Sequence, residues 1–199
     1  MDIILNLLIF LVTTGLVLGV PRKDGEWDPG RWKAAFRFFT VQSNVLCAAA
    51  CLLTAVCEMT GEVPEWAWLL KYAGTAAVTV TMLTVFLFLA PMVGENWVKV
   101  LLTGTPSDLF MHLITPVAAL VSFCVFEKRG MSFMQTLWGI LPVLLYGILY
   151  IRKILYAPAE KRWEDFYGFN RGGKMAVSAA GMLAGTFVIC MALMVLQNL

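Results

Sequence analysis

The chain has 199 residues, 60% of them hydrophobic and 14% charged, with a formal net charge of +2. That is far more apolar than a soluble domain, and the charges sit between long apolar runs, leaving too little chain outside the runs for a separate water-soluble core. The near-balanced charge, with no basic stripe carrying interleaved aromatics, gives no support to nucleic-acid binding.

The expected fold is all-α, a polytopic six-helix transmembrane bundle forming a single transmembrane domain over 1–199. Six apolar helices are predicted at about 3–20, 34–58, 66–93, 108–126, 131–151 and 174–197, each near the roughly 20 residues that cross a bilayer. The first resembles a signal peptide in position. However, Met1 and Asp2 supply no basic leader and no small-residue cleavage site follows, so a retained span is expected. Gly15 and Gly19 on it, like Gly181 and Gly185 on the last helix, are small-xxx-small pairs that let helices approach closely. Internal packing of the terminal helices is their expected role, with a homodimer contact as the alternative.

The second helix reads FRFFTVQSNVLCAAACLLTAVC. At about 100° per residue, Arg37, Thr40, Ser43, Asn44, Cys47, Cys51 and Thr54 fall within about 60° of Thr40, a polar, small-residue face that should point into the bundle. The five cysteines form no C-x-x-C pair and read as small buried apolar residues. The third helix carries Tyr72, Thr75 and Thr79 on one face, and the fifth carries Tyr146 and Tyr150; these are candidates for a hydroxylated cavity wall. Membrane threonines commonly bond their own helix, which is the plainer account of most of them.

The fourth helix holds His112, the sole histidine. An ionisable group inside a span is costly and is by default a functional candidate. Asp108, His112, Thr115 and Ala119 share its face, with Ser122 at the edge. Thr105, Pro106, Ser107 and Asp108 look like a capped helix start. Asp108 sits one turn before His112, where its carboxylate would fix the ring tautomer, cap the helix or pair with Arg37. Pro116 frees the carbonyl of His112.

Basic residues fall mainly in the first, third and fifth connections, including Arg22, Lys33, Lys99, Lys153 and Lys161; elsewhere stand Lys128 and Arg129, with Lys71 near a helix start. The positive-inside rule then places odd-numbered connections in the cytoplasm and both termini outside. Trp27, Trp32, Trp66, Trp68, Trp97, Trp163 and their Phe and Tyr neighbours suit an interfacial belt, and the stretch from Leu155 to Phe169 suits either a segment lying along the interface or an ordinary amphiphilic loop. In this orientation Thr40 and His112 both lie on the order of 6–10 Å inside the cytoplasmic boundary. A hydroxyl and an imidazole at one depth in a dry bundle are the minimum equipment for nucleophilic catalysis.

The segments RWKAAFRFFTVQSN around Thr40 and DLFMHLITP around His112 resemble the androgen-induced-gene family of intramembrane threonine hydrolases, which has many small bacterial relatives. The run from Gln42 to Asn44 is closer to the bacterial members. The resemblance implies hydrolysis of long-chain lipid esters such as fatty-acid esters of hydroxy fatty acids, with Thr40 as nucleophile and His112 as base. It also favours a bacterial inner membrane, or the endoplasmic reticulum or plasma membrane of a eukaryote. No cofactor or metal is implied, and the expected partners are the lipid substrate and bilayer lipids. Chemistry then suggests further roles. Asn44 is the first choice to donate to an oxyanion, with Ser43 and Tyr146 after it, and Arg37 would hold an acidic headgroup or snorkel to the interface. Two other readings stand beside this one. A non-catalytic binder or transporter of a lipid or small molecule also fits polar interior stripes, although no inverted repeat is evident. A structural membrane protein whose histidine serves as helix glue fits as well.

Overall fold

The computed structural model describes residues 2–20, 22–23, 26–89 and 106–199. Six of its helices are long and apolar enough to cross a membrane: α1 (Asp2–Gly19), α3 (Phe39–Thr60), α4 (Glu65–Phe88), α5 (Ser107–Phe126), α6 (Phe133–Tyr156) and α7 (Met175–Asn198). The chain is a multi-pass membrane protein. A short helix, α2 (Gly30–Ala35), precedes α3, and a two-residue antiparallel ladder pairs β1 (Arg22–Lys23) with β2 (Glu26–Trp27). The predicted end of the third helix near 93, and Trp97, Lys99 and Thr105, lie outside the described residues.

Helix α4 is the centre of the bundle. It packs against α3, α5, α6 and α7, while α1 lies across α3 and α5. Every residue from Lys71 to Thr81 is buried. Small residues permit this crowding. A Cβ on Gly74 would lie 2.8 Å from the Cys47 Cα, so α3 and α4 meet backbone to backbone there. The polar stripe of α3 does face inward: Ser43, Asn44, Cys47, Cys51 and Thr54 are all buried.

Contacts gather the starts of α1 and α4, the end of α5, the α5–α6 connection and the end of α7 at one end, the terminal end; the start of α3, the end of α6 and the α6–α7 connection lie at the other, the basic end. A charge network staples the terminal end. The Lys71 ammonium meets Glu127 Oε1 at 2.9 Å with both side chains almost wholly buried. It also donates to Asn6 Oδ1 and, at 3.1 Å, to Ser122 Oγ. Asn6 Nδ2 and Ser122 Oγ donate in turn to Glu127 Oε1, at 2.8 and 2.6 Å. One carboxylate oxygen thus joins α1, α4 and α5. Trp68 is buried rather than interfacial, because its Nε1 donates to the Glu127 carbonyl at 3.0 Å and its ring packs on Phe123. At the same end Asn198 clasps both backbone groups of Met131, each at 2.9 Å, tying α7 to the α5–α6 connection.

The glycine pairs do not pack inside. Gly15, Gly19, Gly181 and Gly185 are exposed, and a Cβ at any of them would meet nothing among the described residues within 4 Å. The reason is geometric: α1 and α7 are peripheral and turn these glycines away from the other described helices.

Removing one partner of a buried ion pair strands the other, a loss of about 3–5 kcal/mol. Lys71→Met should therefore unfold at a clearly lower temperature in detergent, and Lys71→Met with Glu127→Leu should regain a large part of the loss. Gly74→Ala should cost about 1–3 kcal/mol by forcing α3 from α4, read by the same melting experiment.

Candidate functional site

The site begins where the predicted second helix breaks. Phe38 is extended, with φ −89° and ψ 136°, and separates α2 from α3. Two tyrosines hold the break. Tyr146 donates to the Arg37 carbonyl at 2.7 Å, and the Phe39 amide donates to the Tyr167 hydroxyl at 3.0 Å. The break corrects the helical-wheel placement of Arg37. It precedes α3 instead of lying one turn before Thr40 on the same helix, and its side chain is exposed.

Thr40 is the second residue of α3 and is half-buried. The first turn of a helix leaves amides without intrahelical acceptors. Tyr167 takes that of Phe39, and Gln42 bonds the Phe38 carbonyl at 3.4 Å. The amides of Thr40 and Val41 are the remaining donors of that turn, at the positive end of a 22-residue helix.

Thr40 lines a cavity of about 120 Å³. Its walls come from α4 (Val80, Thr81, Thr84 and Val85), α6 (Val143, Leu144, Tyr146, Gly147, Ile148, Tyr150 and Ile151), α7 (Ala179, Met182 and Leu183) and the α6–α7 connection (Tyr167 and Phe169). Apart from its few hydroxyls the lining is aliphatic and aromatic, suited to a hydrocarbon chain. A more open groove of about 290 Å³ shares Phe39 and Tyr146 with it and is bordered by Gln42, Ser43, Leu46, Pro142, Leu145 and Leu149.

His112 sits half-buried in a π-helical turn of α5, Phe110–Ile114. The turn has a cause in Pro116. Proline has no amide hydrogen to give the His112 carbonyl, and the backbone widens here so that Thr115 N bonds the Phe110 carbonyl rather than that of Met111. The His112 Nδ1 lies 2.9 Å from the carbonyl oxygen of Asp108. A carbonyl can only accept, so Nδ1 carries the proton and a neutral ring keeps its lone pair on Nε2. The main-chain carbonyl of Asp108 thus fixes the tautomer.

Asn44 joins the two segments. Its Nδ2 donates to the Thr40 carbonyl at 2.8 Å and to the Met111 carbonyl at 3.1 Å, bridging the Thr40 turn and the residue before His112. Both amide hydrogens are thereby committed, so Asn44 is a brace and not the oxyanion donor expected from its spacing. Ser43 is also engaged, 3.1 Å from the Thr40 carbonyl and 2.9 Å from the Thr81 hydroxyl. Tyr146 lines the cavity but gives its proton to Arg37. His112 is not among the cavity-lining residues; the structure brings its turn, through Met111, to the turn of Thr40.

The hydroxyls expected on the third helix lie elsewhere. Tyr72 donates to the Thr136 carbonyl at 2.8 Å and packs on Phe123, and Thr79 bonds its own helix at the Thr75 carbonyl, 2.7 Å away. Thr75 and Thr115 are buried and outside the cavity lining. Because α4 is enclosed on all sides, burial does not mark a single functional face. The cavity side is that of Thr84, about 180° around the helix from Thr75 at 100° per residue. Tyr167, placed by its sequence in the interfacial belt within the Leu155 to Phe169 stretch, instead lines the cavity and meets the start of α3. Asp165, three acceptor contacts deep in that segment, was the available signal.

Comparison with protein-family models, with curated proteins and with solved structures returns no match to this chain.

Asn44→Ala should leave two buried carbonyls without their donor and lower stability by about 1–3 kcal/mol. Thermal unfolding in detergent measures it, and an unchanged midpoint would refute the brace.

Proposed function

We propose that this chain is an intramembrane hydrolase of long-chain lipid esters, with Thr40 as nucleophile and His112 as general base. The observation that carries the reading is the setting of Thr40: a hydroxyl in the first turn of a membrane helix, on the wall of an apolar cavity, with the turn of the sole histidine braced beside it by Asn44. The resemblance of the two sequence segments to intramembrane threonine hydrolases supports the same assignment.

In this mechanism the acyl chain occupies the cavity and the ester carbonyl approaches Thr40. His112 Nε2 takes the hydroxyl proton as Oγ1 bonds to the carbonyl carbon, and the carbonyl electron pair moves onto oxygen. The first-turn amides of α3 and the helix dipole stabilise that oxyanion. Collapse breaks the bond to the alcohol, which leaves with the proton from His112. Water then attacks the acyl-Thr40 ester with His112 again as base, releasing the acid and restoring the hydroxyl. An acceptor other than water would turn the same steps into acyl transfer. Basic residues at one end of the bundle support placing Thr40, His112 and the odd-numbered connections on the cytoplasmic side, with both termini outside.

Purified protein in lipid nanodiscs should cleave a long-chain ester of a hydroxy fatty acid. Thr40→Ala and His112→Ala should each lower kcat/KM by about 10²–10⁴-fold, and a fluorophosphonate probe should label Thr40 in the parent protein. Turnover that survives both substitutions would remove the reading. Saturable lipid binding with neither turnover nor labelling would favour a carrier.

A further inference from the structure

Beside the candidate nucleophile stands a hydroxyl that the mechanism above does not use. Tyr167 belongs to the 157–174 connection, outside the spanning helices. That connection folds back onto the bundle. The Asp165 carboxylate accepts from the Tyr150 hydroxyl at 2.8 Å and from the amides of Phe169 and Asn170 at 2.9 and 2.7 Å. The Tyr167 amide donates to the Tyr150 hydroxyl at 3.1 Å, and Trp163 bonds the Lys153 carbonyl at 3.2 Å. The folded segment brings the Tyr167 ring into the cavity wall and its oxygen to the Phe39 amide, one residue before Thr40.

A proton count distinguishes Tyr167 from its neighbours. A phenol has one proton to donate, and its oxygen can accept as well. The oxygen of Tyr167 accepts from Phe39, which directs its own proton elsewhere. Tyr146 spends its proton on Arg37, Asn44 both of its amide hydrogens on carbonyls, and Thr81 its proton on the Ala77 carbonyl at 3.2 Å. The Tyr146 ring lies edge-on to that of Tyr167, with centroids 6.3 Å apart, and a substrate carbonyl entering beside Thr40 would be an acceptor for the Tyr167 proton.

We propose that Tyr167 donates a hydrogen bond to the ester carbonyl oxygen as it becomes an oxyanion, adding a side-chain donor to the first-turn amides of α3. The inference rests on the hydrolase reading of Thr40. A donor at this point stabilises charge that exists only in the transition state, so it acts on kcat more than on KM. Burial pushes the Tyr167 hydroxyl above the ordinary tyrosine range. The donor is therefore present through neutral and mildly alkaline pH and is lost only as pH rises beyond about 10.

The test compares the parent protein, Tyr167→Phe, a protein carrying trifluorotyrosine at 167, and Tyr156→Phe as an exposed control, all in nanodiscs with the same ester. Tyr167→Phe should lose about 10²-fold in kcat, with KM changed less than about threefold and fluorophosphonate labelling of Thr40 slowed in parallel. Trifluorotyrosine keeps the oxygen that Phe39 requires but has a more acidic phenol, so the alkaline fall in kcat should move to lower pH. Tyr156→Phe should match the parent. If the parent cleaves ester and labels at Thr40 while Tyr167→Phe keeps its kcat, or the alkaline fall stays put with trifluorotyrosine, the Tyr167 role is overturned and the hydrolase reading stands. If the parent neither cleaves nor labels, the hydrolase reading has failed and this inference goes with it.

Discussion

An ammonium group inside an apolar bundle must be met by an anion and by oxygen acceptors, because desolvation costs several kcal/mol per ion. Lys71 obtains them from two other helices: Glu127 and Ser122 of the α5 end, and Asn6 of α1. This requirement fixes how α1, α4 and α5 stand relative to one another, since sliding any of them would leave a buried charge or amide unmet. Between apolar helices in lipid the hydrophobic effect gives little direction, so such polar contacts and close small-residue packing set the register. The Gly74–Cys47 approach supplies the second, sealing α3 to the same central helix.

The backbone departs from regular helix at both ends: a π turn over Ser122–Phe126 sits in the staple itself, and further departures frame Thr40 at the basic end. Phe38 interrupts α2 and α3, a π turn carries His112, and the α6–α7 connection turns inward. Each of these three has a local cause: two tyrosine hydroxyls at the break, a proline after the His112 turn, and an aspartate that gathers three donors in the connection. Together they surround Thr40 with a cavity, open amides and a phenol. The buried charge network marks the terminal end, and the cavity beside Thr40 marks the basic end.

Hydrophobic runs and their spacing made the six spans legible, and the inward stripe of α3 followed from a 100° turn per residue. The helix break did not follow, because nothing in AAFRFFTV marks Phe38 as extended. Its conformation depends on Tyr146 and Tyr167, more than a hundred residues later. The expected hydroxyl wall of Tyr72, Thr75 and Thr79 was misplaced for a related reason. A helix enclosed by neighbours buries polar groups on every side, so periodicity alone cannot say which side meets the cavity. The spacing of Asn44 on the Thr40 face does not reveal that both its hydrogens bind carbonyls.

The amino-acid order by itself determined that this chain crosses a membrane six times as helices, because length and hydropathy are properties of contiguous segments. It also nominated Thr40 and His112, because ionisable and nucleophilic groups stand out in an apolar run. Tertiary structure alone decided which partners they meet. The Asn44 bridge, the buried Lys71–Glu127 pair and the seating of Tyr167 on the start of α3 all join residues distant in the chain, and such contacts depend on how helices pack rather than on what any one of them contains.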